Sequence, residues 1–236
     1  MYLDSRQPRI LAIVPARGGS KGIPRKNLRL VAGKPLIAHT IAQALMAAKV
    51  QKVVVSTDDQ EIATVSSQYG AQVVLRPKEI SDDFASSESA LMHTLLHLKQ
   101  REGYEPELIV FLQCTSPMRR AWDIDQAVDK LQAENADSLL SVSQSYRFMW
   151  SDVDGEVKPI NYDYRNRPRR QDLKPQYVEN GSIYVFKPWV LETLGNRLGG
   201  KVTMYVMEED SSLDIDSPFD LGLAELLMFG RKESQK

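Results

Sequence analysis

A loop rich in glycine and cations, residues 16–22 (Ala-Arg-Gly-Gly-Ser-Lys-Gly, here the glycine loop), carries the first recognisable chemistry of the chain. Glycines let backbone N–H groups approach an anion without a Cβ in the way. Arg17 supplies a planar fork of donors, Lys21 a point charge and Ser20 a hydroxyl donor. These residues predict a phosphate-binding loop, with an exposed basic turn as the alternative. The loop fits neither GxxxxGK[ST] nor GxGxxG.

Two aspartates near the C-terminus, Asp214 and Asp216, suggest a metal site. If this segment is a strand, residues two apart point to the same side, so the two carboxylates would converge. Convergent carboxylates repel unless a cation lies between them. Mg²⁺ prefers one or two carboxylates completed by phosphate oxygens and water. We therefore predict a Mg²⁺ site at Asp214 and Asp216, with a polar strand end as the alternative.

A cluster of four arginines between positions 165 and 170 suggests a site for an anion. Its members are Arg165, Arg167, Arg169 and Arg170. Arginine forms charge-assisted forks with carboxylates, so the cluster favours a small anionic substrate. A solvated loop is the first alternative. Nucleic-acid binding is the second, but it needs a broader basic field than a chain of net charge −1 supplies.

Two further features could carry chemistry but favour structural roles. Cys114 could act as a nucleophile, but no histidine lies near it in sequence, so we expect a buried thiol. His93 and His97 are spaced i, i+4 and could bind a metal. No HExxH pattern or third ligand accompanies them, so we expect helix surface or packing.

The elements that position these residues alternate between strand and helix. Strands are predicted at 10–14, 52–56, 72–75, 108–112, 137–142, 182–186 and 201–206. Helices are predicted at 35–49, 59–70, from Ser86 or Ser87 onward, and at 122–134, 188–195 and 218–230, the last with Phe219, Leu223, Leu226 and Leu227 toward the core. This order predicts an α/β fold with a mostly parallel, doubly wound (Rossmann-like) sheet. Ligands of such sheets bind outside the carboxyl ends of the strands, where the glycine loop lies.

Residues 146–180, here the insertion, break the alternation. They are aromatic, basic and proline-bearing without helical period, and Asp154-Gly155 predicts a hairpin turn. We predict a β-rich insertion at 146–180 in a core formed by 1–145 and 181–236. Its exposed aromatic residues predict an interface and a homodimer. They are Tyr146, Phe148, Trp150, Tyr162 and Tyr164.

Composition favours an ordinary globular protein. The 236 residues are 42% hydrophobic and 26% charged, which allows one large domain. The near-neutral charge gives no case for nucleic-acid binding. No apolar run approaches a membrane span, and the residues before Ile10 have no signal-peptide pattern. With a single cysteine the chain fits a reducing compartment, so we predict a cytoplasmic protein without membrane contact.

Several motifs together resemble one enzyme family. The run ARGGSKGIPxKN followed by GKPLI is similar to the signature of the acylneuraminate cytidylyltransferases, the CMP-sialic acid synthetases. Q-x-T-S-P at 113–117 and D-I-D at 214–216 resemble further family elements, and RPRRQD followed by YVENG resembles the animal-type enzymes. The resemblance spans Ile10 to Leu227. It implies transfer of CMP from CTP to the anomeric hydroxyl of a nonulosonic acid, with release of pyrophosphate.

The resemblance also implies roles for individual residues. The triphosphate is expected to bind at Arg17, Ser20 and Lys21. The nucleoside is expected to be framed by Asn27, Arg76, Ser86, Ser87 and Gln113. The acidic nine-carbon sugar is expected to face Arg167, Arg170, Gln171 and Asn180. Residues expected to act in catalysis are Arg17, Lys21, Arg167, Asp214 and Asp216, the last two through Mg²⁺. In the family the insertion packs on a second subunit and closes its active site.

Other functions stay open at this point. The same reaction could use Kdo or a bacterial legionaminic or pseudaminic acid; the RPRRQD and ENG segments argue against Kdo only. A non-catalytic nucleotide-binding regulatory module is an alternative of another class. Lys21, Asp214 and Asp216 speak against it, because binding alone needs no metal dyad. No general base is identified, and metal-lowered acidity of the sugar hydroxyl is our preference.

Overall fold

The computed structural model describes residues 8–20, 22–81 and 85–233, with side chains through residue 230. Its strands are β1 (Ile10–Pro15), β2 (Leu30–Val31), β3 (Lys34–Pro35), β4 (Lys52–Thr57), β5 (Gln72–Leu75), β6 (Leu108–Leu112), β7 (Ser138–Ser145), β8 (Trp150–Val153), β9 (Glu156–Pro159), β10 (Gln176–Phe186) and β11 (Val202–Val206). Its helices are α1 (Leu36–Met46), α2 (Gln60–Gln68), α3 (Ser87–Glu102), α4 (Ala121–Ala133), α5 (Pro188–Leu194) and α6 (Pro218–Glu233).

A seven-stranded sheet in the order β11-β7-β10-β6-β1-β4-β5 forms the centre of the fold. β6, β1, β4 and β5 are parallel neighbours, and β7 is parallel to β11. β10 is antiparallel to both β6 and β7, because the chain returns beside β7 without a crossover helix. The predicted mostly parallel α/β sheet is confirmed.

Both faces of the sheet are covered by helices, which explains the continuous apolar runs of the central strands. Along β1, Ala12 and Val14 pack toward α1, α2 and α4, whereas Leu11 and Ile13 pack toward α3 and α5. These side chains are completely buried. A strand buried on two sides therefore delivers the glycine loop to a fixed point at its carboxyl end.

Most predicted boundaries agree with the structure. Asp59 caps α2 by accepting hydrogen bonds from the backbone N–H groups of Glu61 and Ile62. Of the two serines considered, Ser86 is the cap of α3. β10 begins at Gln176, six residues before the predicted strand, so the main sheet takes in residues 176–180 of the insertion. The short β2–β3 pair was not predicted.

The predicted core face of α6 is wrong. Phe219 and Leu226 are 77% and 73% exposed, Leu227 is exposed, and Leu223 lies at intermediate exposure. The face that packs consists of Leu221, Ala224 and Met228, against Ile23, Val31, Leu36 and Ile215. Apolar residues occur all around this helix, so their spacing alone does not determine which face is buried.

The insertion lies partly outside the main sheet. β8 and β9 form a separate two-stranded sheet, and Asp154 and Gly155 both have positive φ, which confirms the predicted turn. Its aromatic rings contact one another: Phe148 lies 4.4 Å from Tyr162, and Trp150 lies 5.6 Å from Tyr164, centroid to centroid. Among the described residues, no helix is long and apolar enough to cross a membrane.

Candidate active site

A cavity of about 310 Å³ opens at the carboxyl ends of β1, β5 and β6. Its lining consists of Pro15, Arg17, Asn27, Arg76, Ala85, Ser86, Ser87, Phe111, Gln113, Cys114 and Thr115. Among the residues predicted for nucleotide binding, the structure brings together Arg17, Asn27, Arg76, Ser86, Ser87 and Gln113. Ser20 does not belong to the lining, and Lys21 lies outside the described residues.

Hydrogen bonds to neighbouring elements hold the glycine loop in place. The backbone N–H of Ala16 donates to the carbonyl of Ser56 at 2.9 Å. The backbone N–H of Gly18 donates to Oδ1 of Asp58 at 3.0 Å. Asn27 is buried, and its Nδ2 donates to the carbonyl of Arg17 at 3.0 Å. Asn27 therefore supports the loop backbone in addition to lining the cavity.

Two arginines give the cavity its positive charge. The Arg76 side chain is only 5% exposed, and its nearest carboxylate contact in the described chain is Oδ1 of Asp58 at 4.0 Å. Burial lowers the Arg76 pKa and the positive charge of Arg17 adds to the lowering, while Asp58 opposes both. Because the ordinary pKa of arginine exceeds 12, Arg76 is still a cation at neutral pH. Such a cavity suits an anionic ligand.

The first turn of α3 forms one wall of the cavity. Ser86 accepts a hydrogen bond from the backbone N–H of Ser89 at 3.1 Å and lines the cavity together with Ser87. The N–H groups and the dipole at the start of a helix favour negative charge nearby. This wall therefore adds to the preference of the two arginines for an anion.

The end of β6 supplies polar groups and a buried thiol. Cys114 is buried, and burial raises its pKa to about 12, so the thiol stays protonated at neutral pH. This confirms the expected buried thiol and gives no support to a nucleophile. Thr115 Oγ1 donates to Oε1 of Gln113 at 3.3 Å, which orients the Gln113 amide at the cavity.

The predicted strand at Asp214 and Asp216 is wrong. Residues 212–216 run without regular structure between a short 3-10 turn at Glu209–Ser211 and α6. Asp214 is partly buried, whereas the Asp216 side chain is 77% exposed and pairs with Nζ of Lys26 at 3.1 Å. Burial raises the Asp214 pKa, and the charge of Asp216 raises it further, so the two carboxylates still influence each other.

Residues 214–216, here the acidic segment, dock on the glycine loop and on the end of β6. Nζ of Lys26 donates to the carbonyl of Ile215 at 2.7 Å, and the N–H of Ile215 donates to the carbonyl of Thr115 at 2.9 Å. A Cβ placed on Gly22 would lie 2.6 Å from the carbonyl oxygen of Asp216. Glycine is therefore required here for close approach.

Sequence reasoning missed Lys26 and Thr115. The Thr115 side chain also lies near the Asp214 carboxylate, whose pKa it lowers, so it connects the acidic segment to the Gln113 side of the cavity. Lys26 stands inside the motif ARGGSKGIPxKN, and Thr115 stands inside Q-x-T-S-P. Their position in these motifs was the available signal, but their partners are far away in sequence.

The acidic segment has the donor groups that Mg²⁺ uses. Asp214 Oδ1 is buried without a hydrogen-bond partner, and Asp216 adds a second carboxylate. Two carboxylates suit an ion whose remaining ligands are phosphate oxygens and water. Within the described ranges, no group of three or more His, Cys, Asp or Glu residues could hold a metal without such partners. The His93 and His97 rings, 6.3 Å apart, likewise have no third ligand there.

The residues predicted to face the sugar fall into two places. Arg167, Arg170 and Gln171 are exposed on the insertion and do not line the cavity. The Arg167 and Arg170 guanidinium groups lie over the rings of Phe148 and Tyr146, at 4.2 and 4.1 Å. The structure of one chain does not bring these residues to the cavity.

Asn180, the fourth predicted sugar residue, is buried and hydrogen-bonded on both sides of its amide. Its Oδ1 accepts from Oγ of Ser141 at 2.6 Å and from the backbone N–H of Ser182 at 3.2 Å. Its Nδ2 donates to Oγ of Ser212 at 3.1 Å. In this arrangement Asn180 connects the β-bulge of β10 to the residues before the acidic segment.

Comparison with known proteins adds three sequence matches. A family model described as cytidylyltransferase matches residues 11–235. N-acylneuraminate cytidylyltransferase A of Danio rerio is 39% identical over 94% of this chain and 51% of that protein. CMP-N,N'-diacetyllegionaminic acid synthase of Legionella pneumophila is 38% identical over 93% of this chain and 96% of that protein. The chain thus spans about half the length of the fish relative.

Two solved structures share the fold. CMP:2-keto-3-deoxy-manno-octonic acid synthetase, in a structure complexed with CTP, has a TM-score of 0.72 at 19% identity and covers 94% of this chain and 99% of that chain. 4-Diphosphocytidyl-2C-methyl-D-erythritol synthase of Anaerococcus prevotii has a TM-score of 0.68 at 13% identity and covers 95% of this chain and 100% of that chain. At these identities the likeness concerns the fold alone.

Proposed function

Because the chain belongs to the cytidylyltransferase family, we propose that it transfers CMP from CTP to the anomeric hydroxyl of a nonulosonic acid of the N-acylneuraminate type. The products are the CMP-sugar and pyrophosphate. The observation that carries the proposal is the cavity in which Arg17, Arg76 and Gln113 meet at the strand ends. Such a cationic cavity beside two carboxylates suits a nucleoside triphosphate with a divalent cation.

CTP has a defined place in this proposal. Arg17 faces its phosphates from the cavity wall, and Ser20 and Lys21 add donors from the glycine loop. Arg76, which was expected beside the nucleoside, is assigned to the phosphates here because it brings a buried positive charge to the cavity. The nucleoside lies against Asn27, Ser86, Ser87 and Gln113. The Gln113 amide, oriented by Thr115, offers the donor and acceptor pair that a base or ribose needs.

The reaction needs positioning and charge neutralisation more than covalent chemistry. The anomeric oxygen of the sugar forms a bond to the α-phosphorus, and the bond from that phosphorus to the β-bridging oxygen breaks. Pyrophosphate takes the electron pair, and the hydroxyl proton passes to water. Asp214 and Asp216 would hold Mg²⁺, which supplies neutralisation of phosphate charge and acidifies the sugar hydroxyl when bound. Arg17 and Lys21 stabilise the charge that develops on pyrophosphate.

The acid sugar is placed through a homodimer. Arg167, Arg170 and Gln171 project from an insertion with exposed aromatic rings and do not reach the cavity of their own chain. We propose that the insertion packs on a second copy and presents these residues to its active site. There an arginine fork meets the carboxylate of the sugar. Asn180 then acts as a positioning residue within its own chain, because its hydrogen bond to Ser212 holds the residues before the acidic segment.

The sugar itself is proposed only as a class. The similarity to the Danio rerio N-acylneuraminate enzyme, 39%, is nearly equalled by the 38% shared with the Legionella pneumophila legionaminic acid synthase. A legionaminic-type acid is therefore the second candidate. We also propose a cytoplasmic location, which the single buried thiol of Cys114 supports because it fits a reducing compartment.

Pyrophosphate release from CTP tests the proposal with a panel of acids: N-acetylneuraminate, diacetyllegionaminate, pseudaminate and Kdo. We expect Mg²⁺-dependent turnover with a nine-carbon acid and little with Kdo. Asp214→Asn and Asp216→Asn should each abolish it, while Glu225→Gln, an exposed carboxylate on α6, should not. Binding of CTP without turnover on any acid would favour the regulatory module instead.

A further inference from the structure

The glycine loop is hydrogen-bonded to an acidic side chain from a neighbouring element, Asp58. Asp58 directly follows β4, and its Oδ1 accepts the backbone N–H of Gly18 at 3.0 Å. This N–H belongs to the loop that was predicted to bind phosphate. Within the chain it is therefore directed at a protein carboxylate.

The next residue, Asp59, also contacts the loop at Gly18. A Cβ on Gly18 would lie 2.7 Å from Oδ2 of Asp59, so the loop backbone rests directly on that carboxylate. Asp59 is itself immobilised, because it caps α2 and forms an ion pair with Arg25. Gly18 therefore packs against the start of α2.

The Asp58 carboxylate is partly buried between the glycine loop and Arg76. Its side chain is 23% exposed and does not line the cavity. On the other side, Nη2 of Arg76 lies 4.0 Å from the same Oδ1 that accepts from Gly18. One oxygen therefore lies between the loop and a cavity arginine.

We infer that Asp58 is a positioning residue of the nucleotide site: by accepting the Gly18 N–H, it holds the glycine loop in the shape that receives the phosphates of CTP. It acts through the loop, because it is absent from the cavity lining. The inference rests on the proposed function. The opposite role, an anion that competes with the phosphates for Gly18, predicts tighter CTP binding when the Asp58 carboxylate is removed.

The test compares Asp58→Ala, which removes the acceptor, with Asp58→Asn, which keeps an oxygen at the same place. Asp129→Asn is the matched control, because this aspartate is exposed on α4 and pairs only with Lys49 in the described chain. CTP dissociation constants, KM, kcat and melting temperature are measured for each variant. We expect Asp58→Ala to lower kcat/KM for CTP about 10- to 100-fold, as displacement of a positioned group does, with the melting temperature close to wild type.

Rescue by the conservative variant separates positioning from charge. Asp58→Asn should stay within about fivefold of wild type in kcat/KM, because the hydrogen bond to Gly18 is retained. Tighter CTP binding in Asp58→Ala would overturn the inference in favour of competition. Unchanged kinetics in Asp58→Ala, or an equal loss in both variants, would overturn it as well.

A readout without nucleotide keeps this test separate from the proposed function. In protein labelled with ¹⁵N-glycine, amide hydrogen exchange at Gly18 should be at least about tenfold faster in Asp58→Ala and unchanged in Asp129→Asn. Unchanged exchange at Gly18 would overturn the inference whatever the enzyme does with CTP. Faster exchange at Gly18 in Asp58→Ala, found together with a wild-type protein that shows no turnover, would contradict the proposed function alone.

Discussion

At the scale of single residues, Gly22 is the point where the glycine loop contacts the acidic segment. Gly22→Ala should lower the free energy of unfolding by about 1–3 kcal/mol, because the added Cβ would meet the backbone oxygen of Asp216 at 2.6 Å. Gly19→Ala is the matched control from the same loop, since nothing lies within 4 Å of its added Cβ. Urea unfolding of both variants measures the difference, and equal stabilities would contradict the close packing.

The sequence revealed which residue types could bind phosphate, but not how each is held. Arg17 and Arg76 were assigned from type and motif, and both line the cavity. Lys26 and Thr115 were missed, because their contacts to the acidic segment join residues about 100 or more positions apart. Asp214 and Asp216 were found for a wrong reason, since their segment is not a strand.

At the scale of secondary structure, Arg119 joins three elements below the cavity. It is 2% exposed, and burial lowers its pKa to about 10, so it is still a cation at neutral pH. Its Nη1 donates to the carbonyl of Ser182 in β10, and its Nη2 donates to Oγ1 of Thr40 in α1 and to the carbonyl of Gln113 after β6.

We expect Arg119→Met to lower the free energy of unfolding by about 2–4 kcal/mol, because it leaves buried acceptors without a donor. Arg119→Lys should lose less, since it keeps the charge but cannot reach all three elements. Arg101→Met, at an exposed position of α3, is the control. If denaturant unfolding gave Arg119→Met the same free energy of unfolding as Arg101→Met, the three contacts of Arg119 would contribute nothing to stability.

Elements with one strong pattern were predictable, and those decided by tertiary packing were not. β5 and β6 were predicted to the residue, because each is a continuous apolar or β-branched run between clear breaks. The early start of β10 depends on pairing with β7, which no local pattern displays. The buried face of α6 depends on which neighbours it meets, since apolar residues occur on all of its sides.

At the scale of the whole molecule, one chain leaves the predicted sugar residues away from the cavity. We therefore expect a homodimer, with a mass near twice the 26.7 kDa of one chain by light scattering. Trp150→Ser, at an exposed ring of the insertion, should shift the equilibrium toward monomer, whereas Trp189→Ser, at an exposed position of α5, should not. A monomeric wild-type protein at working concentrations would leave Arg167 and Arg170 without a route to the site.

In the proposed reaction CMP, rather than another part of CTP, moves to an acid sugar. CTP labelled with ³²P at the α-phosphorus, in parallel with CTP labelled at the γ-phosphorus, tests this directly when each is incubated with Mg²⁺ and the acid that gives turnover. We predict that the α-label appears in the sugar conjugate and that the γ-label appears only in pyrophosphate. Transfer of the γ-label to the sugar, or no transfer of either label to any acid by protein that binds CTP, would contradict it.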